Sequence, residues 1–90
     1  MTVFVVVLTR SSDEALNRIN AIDEAERYQV KDNVWLINHD GPTQQFAEQI
    51  GIRRHNTGAT GVAFPISNYS GRAPADLWEW LKERLVRETS

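Results

Sequence analysis

Six consecutive apolar residues near the start of the chain, Val3-Phe4-Val5-Val6-Val7-Leu8, constrain the fold more than any other feature. Four of the six are valine, whose branched side chain suits a pleated surface, so the run predicts a strand. Successive strand side chains point to opposite faces. Val3, Val5 and Val7 therefore point one way, and Phe4, Val6 and Leu8 the other. A strand apolar on both faces belongs in the middle of a sheet that is covered on both sides. Val34-Trp35-Leu36-Ile37 has the same character. Tyr28-Gln29-Val30 alternates as a half-exposed strand does, and Lys31-Asp32-Asn33 reads as the turn of a hairpin joining the two. A fourth strand is expected over Gly61 to Ser67, where Val62, Ala63, Phe64 and Ile66 are apolar. Pro65 within it has no N–H to give a ladder, which sends this strand to an edge.

Helical patterns fill the intervals. Ser11 can cap a helix, and Glu14 three residues later closes a capping box. Ala15, Leu16, Ile19 and Ile22 share one stripe of that helix. Asp40-Gly41-Pro42 ends a strand and opens a short helix, with Asp40 as a cap and Pro42 tolerated in the first turn. Phe46, Ala47 and Ile50 form its buried stripe, and Gly51 suits its C-terminal cap. A third helix is expected from Pro74, with Asp76 in its first turn and Lys82, Arg84 and Arg87 near its end, a polarity that complements the helix dipole. Leu77, Trp78, Leu81 and Leu85 share its apolar face, with Trp80 at the margin.

This order predicts an α/β (α+β) fold: a ferredoxin-like β-α-β-β-α-β plait with an additional C-terminal helix and a mixed, mostly antiparallel four-stranded sheet. In the plait the first and third strands are central and the others lie at the edges, in agreement with the polarity of each strand. Residues 1–90 form one domain, because chains divide only at much greater length. The two crossover helices of a plait cover one face of the sheet. The other face needs the third helix or a second subunit, since an uncovered apolar face marks an interface. A homodimer is the expected state, and Val3, Val5, Val7, Trp35, Ile37 and Trp80 are the candidate self-association residues.

Chemistry is less legible. The chain has no cysteine, which excludes a disulfide framework, a thiolate zinc site and a cysteine nucleophile together. A net charge of −2 gives no overall attraction to nucleic acid, so any such contact must be a local basic patch. Arg53-Arg54-His55 opens a long polar loop containing Gly58, and guanidinium forks beside exposed backbone N–H groups can grip phosphate. Arg10, Arg72 and Tyr69 complete the candidate phosphate or nucleic-acid contacts, Tyr69 as a stacking platform. Thr57-Gly58-Ala59-Thr60-Gly61 neither ends in the Gly-Lys-Ser/Thr of a phosphate-binding loop nor opens a helix as a dinucleotide fingerprint must. His39-Asp40 is the one adjacent acid–base pair, but neighbours at a strand end point to opposite sides. No catalytic residue, metal site or cofactor is expected. Val3–Leu8 is too short to span a bilayer and has no basic residue before it, so neither a membrane partner nor a signal peptide is expected and the cytoplasm is the expected location.

The valine-rich strand Val3–Leu8, the Val34–Ile37 strand before a short helix and the late strand Val62–Ile66 together resemble the small Cas2-like and VapD-like proteins. The resemblance spans most of the chain and is one of architecture; it implies the plait and a dimer. The Cas2-like family holds a metal with an aspartate just after the first strand, where this chain has Thr9-Arg10. That departure counts against metal-dependent nuclease activity; the expected function is a non-catalytic, self-associating binding or regulatory module, with a nucleic-acid-binding protein or degenerate Cas2-like nuclease relative as the alternative. A protein partner is compatible with the first.

Overall fold

The two strands that are apolar on both faces lie side by side in the middle of a four-stranded sheet of order β2-β3-β1-β4. The computed structural model describes residues 2–54, 56–67, 72 and 75–85. Its elements are β1 (Thr2–Arg10), α1 (Asp13–Asn20), a 3-10 turn (Glu24–Glu26), β2 (Arg27–Lys31), β3 (Val34–His39), α2 (Thr43–Gln49), β4 (Thr60–Ile66) and α3 (Ala75–Leu85). The fold is α+β, an open antiparallel sheet with three helices.

Every neighbouring strand pair is antiparallel, which corrects the expectation of a mixed sheet. The reason lies in the crossovers. A helix between two strands returns the chain so that β1 runs parallel to β2, and β3 parallel to β4, but neither pair is adjacent. β3 separates the first two and β1 the second two.

The register decides which side chains share a face. Val5 lies opposite Leu36 on one side and Phe64 on the other, while Phe4 lies opposite Ile37 and Pro65. Phe4, Val6, Leu8, Trp35 and Ile37 thus share one face, where they are buried with Ile19 of α1 and with Phe46 and Ile50 beside them. Phe4 and Phe46 stack with centroids 4.4 Å apart. Val3 and Leu36 share the other face and are buried under Leu77 and Leu81 of α3. The result is three layers: α1 and α2, the sheet, and α3.

Local starts and stops follow the sequence with small shifts. β1 runs on to Arg10, so α1 is capped by Ser12 and not by Ser11; the Ala15 N–H donates to Ser12 Oγ at 3.2 Å. Glu14, freed from a capping box, accepts from the Arg18 guanidinium one turn later at 2.9 Å. Pro42 occupies the N-cap position of α2 and its side chain makes no capping bond. Gly51 takes the left-handed conformation after α2 (φ +87), and a Cβ there would lie 2.7 Å from the Thr57 methyl carbon. The Thr57 hydroxyl donates to the Gly51 carbonyl at 2.7 Å, folding the long loop back onto the end of α2.

Pro65 sits on the edge strand for a reason the hydrogen bonds make explicit. The Leu8 N–H donates to the Asn33 carbonyl, so the even-numbered positions of β1 turn their backbone groups towards β3. Pro65, opposite Phe4, therefore turns its nitrogen to the open edge of β4, where no ladder bond is lost. Gly61, opposite Leu8, allows the close approach at the start of the same strand: a Cβ would lie 2.4 Å from the Val7 carbonyl oxygen.

Candidate interaction face

α3 divides the second face of the sheet into a covered and an open half. Val3 and Leu36 are buried beneath Leu77 and Leu81, and Tyr28, Val5 and Ile66 pack around them. Burying two leucines contributes about 2 kcal/mol each in lost water contact. Polar contacts fix the helix at both ends. The Tyr28 hydroxyl donates to Asp76 Oδ2 at 2.8 Å near the start of α3. That bond, followed by desolvation and by the charge of Asp76, raises the Tyr28 pKa above that of a free tyrosine. Towards the other end the Trp80 indole N–H donates to the Ala25 carbonyl at 3.2 Å. The Arg84 guanidinium donates to the same carbonyl, and to Glu26 Oε1 at 3.0 Å. The second oxygen of Glu26 accepts from Asn38 Nδ2 at 3.0 Å. Asn38 is the buried polar residue of the inner strands, and this chain of contacts explains it: Asn38, Glu26 and Arg84 tie β3, the 3-10 turn and α3 together.

The open half belongs to β1 and β4, with β3 at its margin. A direct cross-strand row of three valines crosses it, Val34 on β3, Val7 on β1 and Val62 on β4. Val62 is 52% exposed. In the next row Leu36 is roofed by α3, Val5 is half-buried and Phe64 is 46% exposed. The half ends at a hydrogen-bonded pair, Thr9 Oγ1 and Thr60 Oγ1, 2.7 Å apart. No charged side chain stands among these positions of β1, β3 and β4. This is an apolar surface bounded by α3 and by the free edge of β4, and exposed Lys31 of β2, paired opposite Val34, stands at the end of its valine row.

The expected self-association residues divide between the faces. Val3, Val5 and Val7 are on the α3 side, with Val3 wholly buried. Trp35 and Ile37 are on the opposite side, buried against the α1 and α2 layer, because the register places them opposite Val6 and Phe4. Trp80 is engaged within the chain: it bonds Ala25, and the Arg84 guanidinium lies 4.1 Å above its ring. Val62 and Phe64, not singled out by sequence, are the exposed members of the open half. Their signal was the apolar alternation of an edge strand, which reads equally well as a buried face.

The basic residues are placed as follows. Arg10 ends β1 opposite Thr60, at the same end of the sheet as the loop that follows α2. In that loop Arg53 and Arg54 lie 4.0 and 3.7 Å from the Glu48 carboxylate, which offsets part of their charge. Arg54 adopts a left-handed conformation (φ 67). Arg72 is exposed in the segment leaving the other end of β4. His55 and Tyr69 lie outside the described residues. His39 Nδ1 lies against the Asp40 carbonyl, and its ring meets Phe46 at 5.2 Å. Among the described residues no three His, Asp or Glu side chains converge as a metal ion requires, and no helix is long and apolar enough to cross a membrane.

Comparison with protein-family models, with curated proteins and with solved structures finds no match for this chain.

Proposed function

We propose that this chain is a ferredoxin-like module with an added C-terminal helix, which acts by association with itself and through it with a partner, not by catalysis. The observation that carries the reading is the apolar open half of the second face, with Val62 and Phe64 about half exposed on β4 at the end of rows whose members on β1 and β3 are partly or wholly buried. The strand order β2-β3-β1-β4 with every pair antiparallel is compatible with the plait and supports that reading, the architecture that the likeness to the small Cas2-like and VapD-like proteins implies. Water ordered over an apolar sheet face is released when a second surface covers it, at roughly 25 cal/mol per Å². A domain of this size gains from sharing that cover with another subunit.

The test is the solution mass of the untagged protein by light scattering over a concentration series. The reading requires a species of twice 10.3 kDa that grows with concentration. A mass of one chain at every concentration overturns it.

A further inference from the structure

We propose that α3 is a latch that lifts off the sheet as one unit while β1–β4, α1 and α2 stay folded, and that in its closed position it withholds half of the apolar second face. The inference goes beyond the association reading, since it concerns how a single chain governs its own surface.

The two faces of the sheet are buried separately. Phe4, Val6 and Leu8 belong to the cluster under α1 and α2, and Val3, Leu36, Leu77 and Leu81 form another, with no side chain in common. The first holds eight buried residues and the second four, of which α3 supplies two. Lifting α3 therefore leaves the larger cluster whole.

The closed position is held along one line. Asp76, Trp80 and Arg84 follow at four-residue spacing, so they share one side of the helix. Outside their own helix they bond to Tyr28, Ala25 and Glu26, within a four-residue stretch that runs from the 3-10 turn into β2. Only a helix brings the three into this row. Eleven residues are too few for a stable helix in isolation, so α3 unwinds as it leaves the sheet and the bonds are lost together.

The closed state also carries a built-in penalty. Arg84 Nε is buried without an acceptor among the described residues, although both terminal nitrogens of the guanidinium are bonded. A donor stripped of water with no bond in return favours the state in which water reaches it again. Release bares Val3 and Leu36 and joins them to Val5, Val7, Val62 and Phe64 in one apolar face. α3 is in this sense an autoinhibitory contact.

Native-state amide exchange of the full chain, at low concentration, separates the two openings. The amides of Leu77 to Arg84 should exchange through one shared opening, roughly 30-fold or more faster than those of Phe4, Val6 and Leu8, which wait for the whole fold. Ile19→Val, in the cluster that α3 does not touch, should speed Phe4, Val6 and Leu8 by roughly 3- to 10-fold and leave α3 unchanged. Tyr28→Phe should speed both sets, because it weakens the closed state from which both openings start. Since the chain has no cysteine, Val3→Cys beneath α3 should react with a thiol reagent at the rate of the α3 opening, and Val6→Cys on the opposite face at the slower one. α3 amides that exchange no faster than the inner strand, or that Ile19→Val speeds equally, overturn the latch. So does an α3 unmoved by Tyr28→Phe, or a Val3→Cys that reacts as slowly as Val6→Cys. A chain that is monomeric throughout removes the association reading and leaves each of these outcomes as it stands.

Discussion

Replacing Leu81 with alanine tests whether α3 holds the sheet as described. Leu81 is 3% exposed and lies in a cluster with Leu77, Val3 and Leu36. Truncating a buried leucine removes its transfer free energy and leaves a void, for about 2 to 5 kcal/mol in all. α3 is the outermost layer and can settle inward, so the lower part of that range applies, about 2 to 3 kcal/mol. In a domain of this length each kcal/mol moves the unfolding midpoint by roughly 4 to 8 °C. The expected fall is therefore on the order of 10 to 20 °C. The assay is denaturant and thermal unfolding of Leu81→Ala, with Glu79→Ala on the exposed side of the same helix as control. Amide exchange should show the extra loss of protection concentrated in α3 and β2. The reasoning is refuted if Leu81→Ala costs less than about 0.5 kcal/mol, the range of ordinary surface substitutions.

Three further outcomes follow from single contacts. Ser12→Ala should destabilise by about 1 kcal/mol through the lost cap, whereas Ser11→Ala should be nearly neutral; equal effects in chemical denaturation would place the cap wrongly. Gly61→Ala should be strongly destabilising, because its Cβ would meet the Val7 carbonyl oxygen at 2.4 Å and backbone cannot swing aside; a melting point within a few degrees of wild type would contradict the close approach. The Tyr28–Asp76 contact should be present in full below the ordinary tyrosine pKa of about 10 and be lost as pH rises through the higher folded value, since the phenol must keep its proton to donate. In a Tyr69→Phe background the ultraviolet tyrosinate titration should report that raised value for Tyr28, and Asp76→Asn should bring it down; identical titrations in the two proteins would show that the bond does not form.

Much of the sheet was legible because local chemistry and global position agree. Val3–Leu8 and Val34–Ile37 are apolar on both faces and became the inner strands, and Pro65 sent β4 to the edge. The pairing of faces was not legible. A strand apolar on both sides carries no local mark of which side meets which helix layer. Only the long-range register, Val5 opposite Leu36, puts Trp35 and Ile37 with α1 and α2 and leaves Val62 and Phe64 on the side of α3. The contacts that hold α3 were hidden for the same reason, since Tyr28 and Asp76, or Glu26 and Arg84, are far apart in the chain and each reads locally as solvated. Asn38 in an otherwise apolar strand was the one available hint of a polar tie. Trp35 and Ile37 therefore lie buried on the side of α1 and α2, while Val62 and Phe64 lie exposed on the side of α3.

The central place of β1 has a further meaning for how the chain reaches this structure. β1 is the first strand made, yet both of its neighbours come later: Val5 must wait for Leu36 and then for Phe64. Until β4 has emerged, the most β-prone and apolar segment of the protein has at least one unpaired edge. Strand pairings between distant segments form slowly, and exposed edges of this kind invite pairing between molecules. The same valines that make a stable middle strand thus make the nascent chain the vulnerable form, and its safe window opens only when Thr60–Ile66, about two thirds to three quarters of the way along the sequence, is in hand.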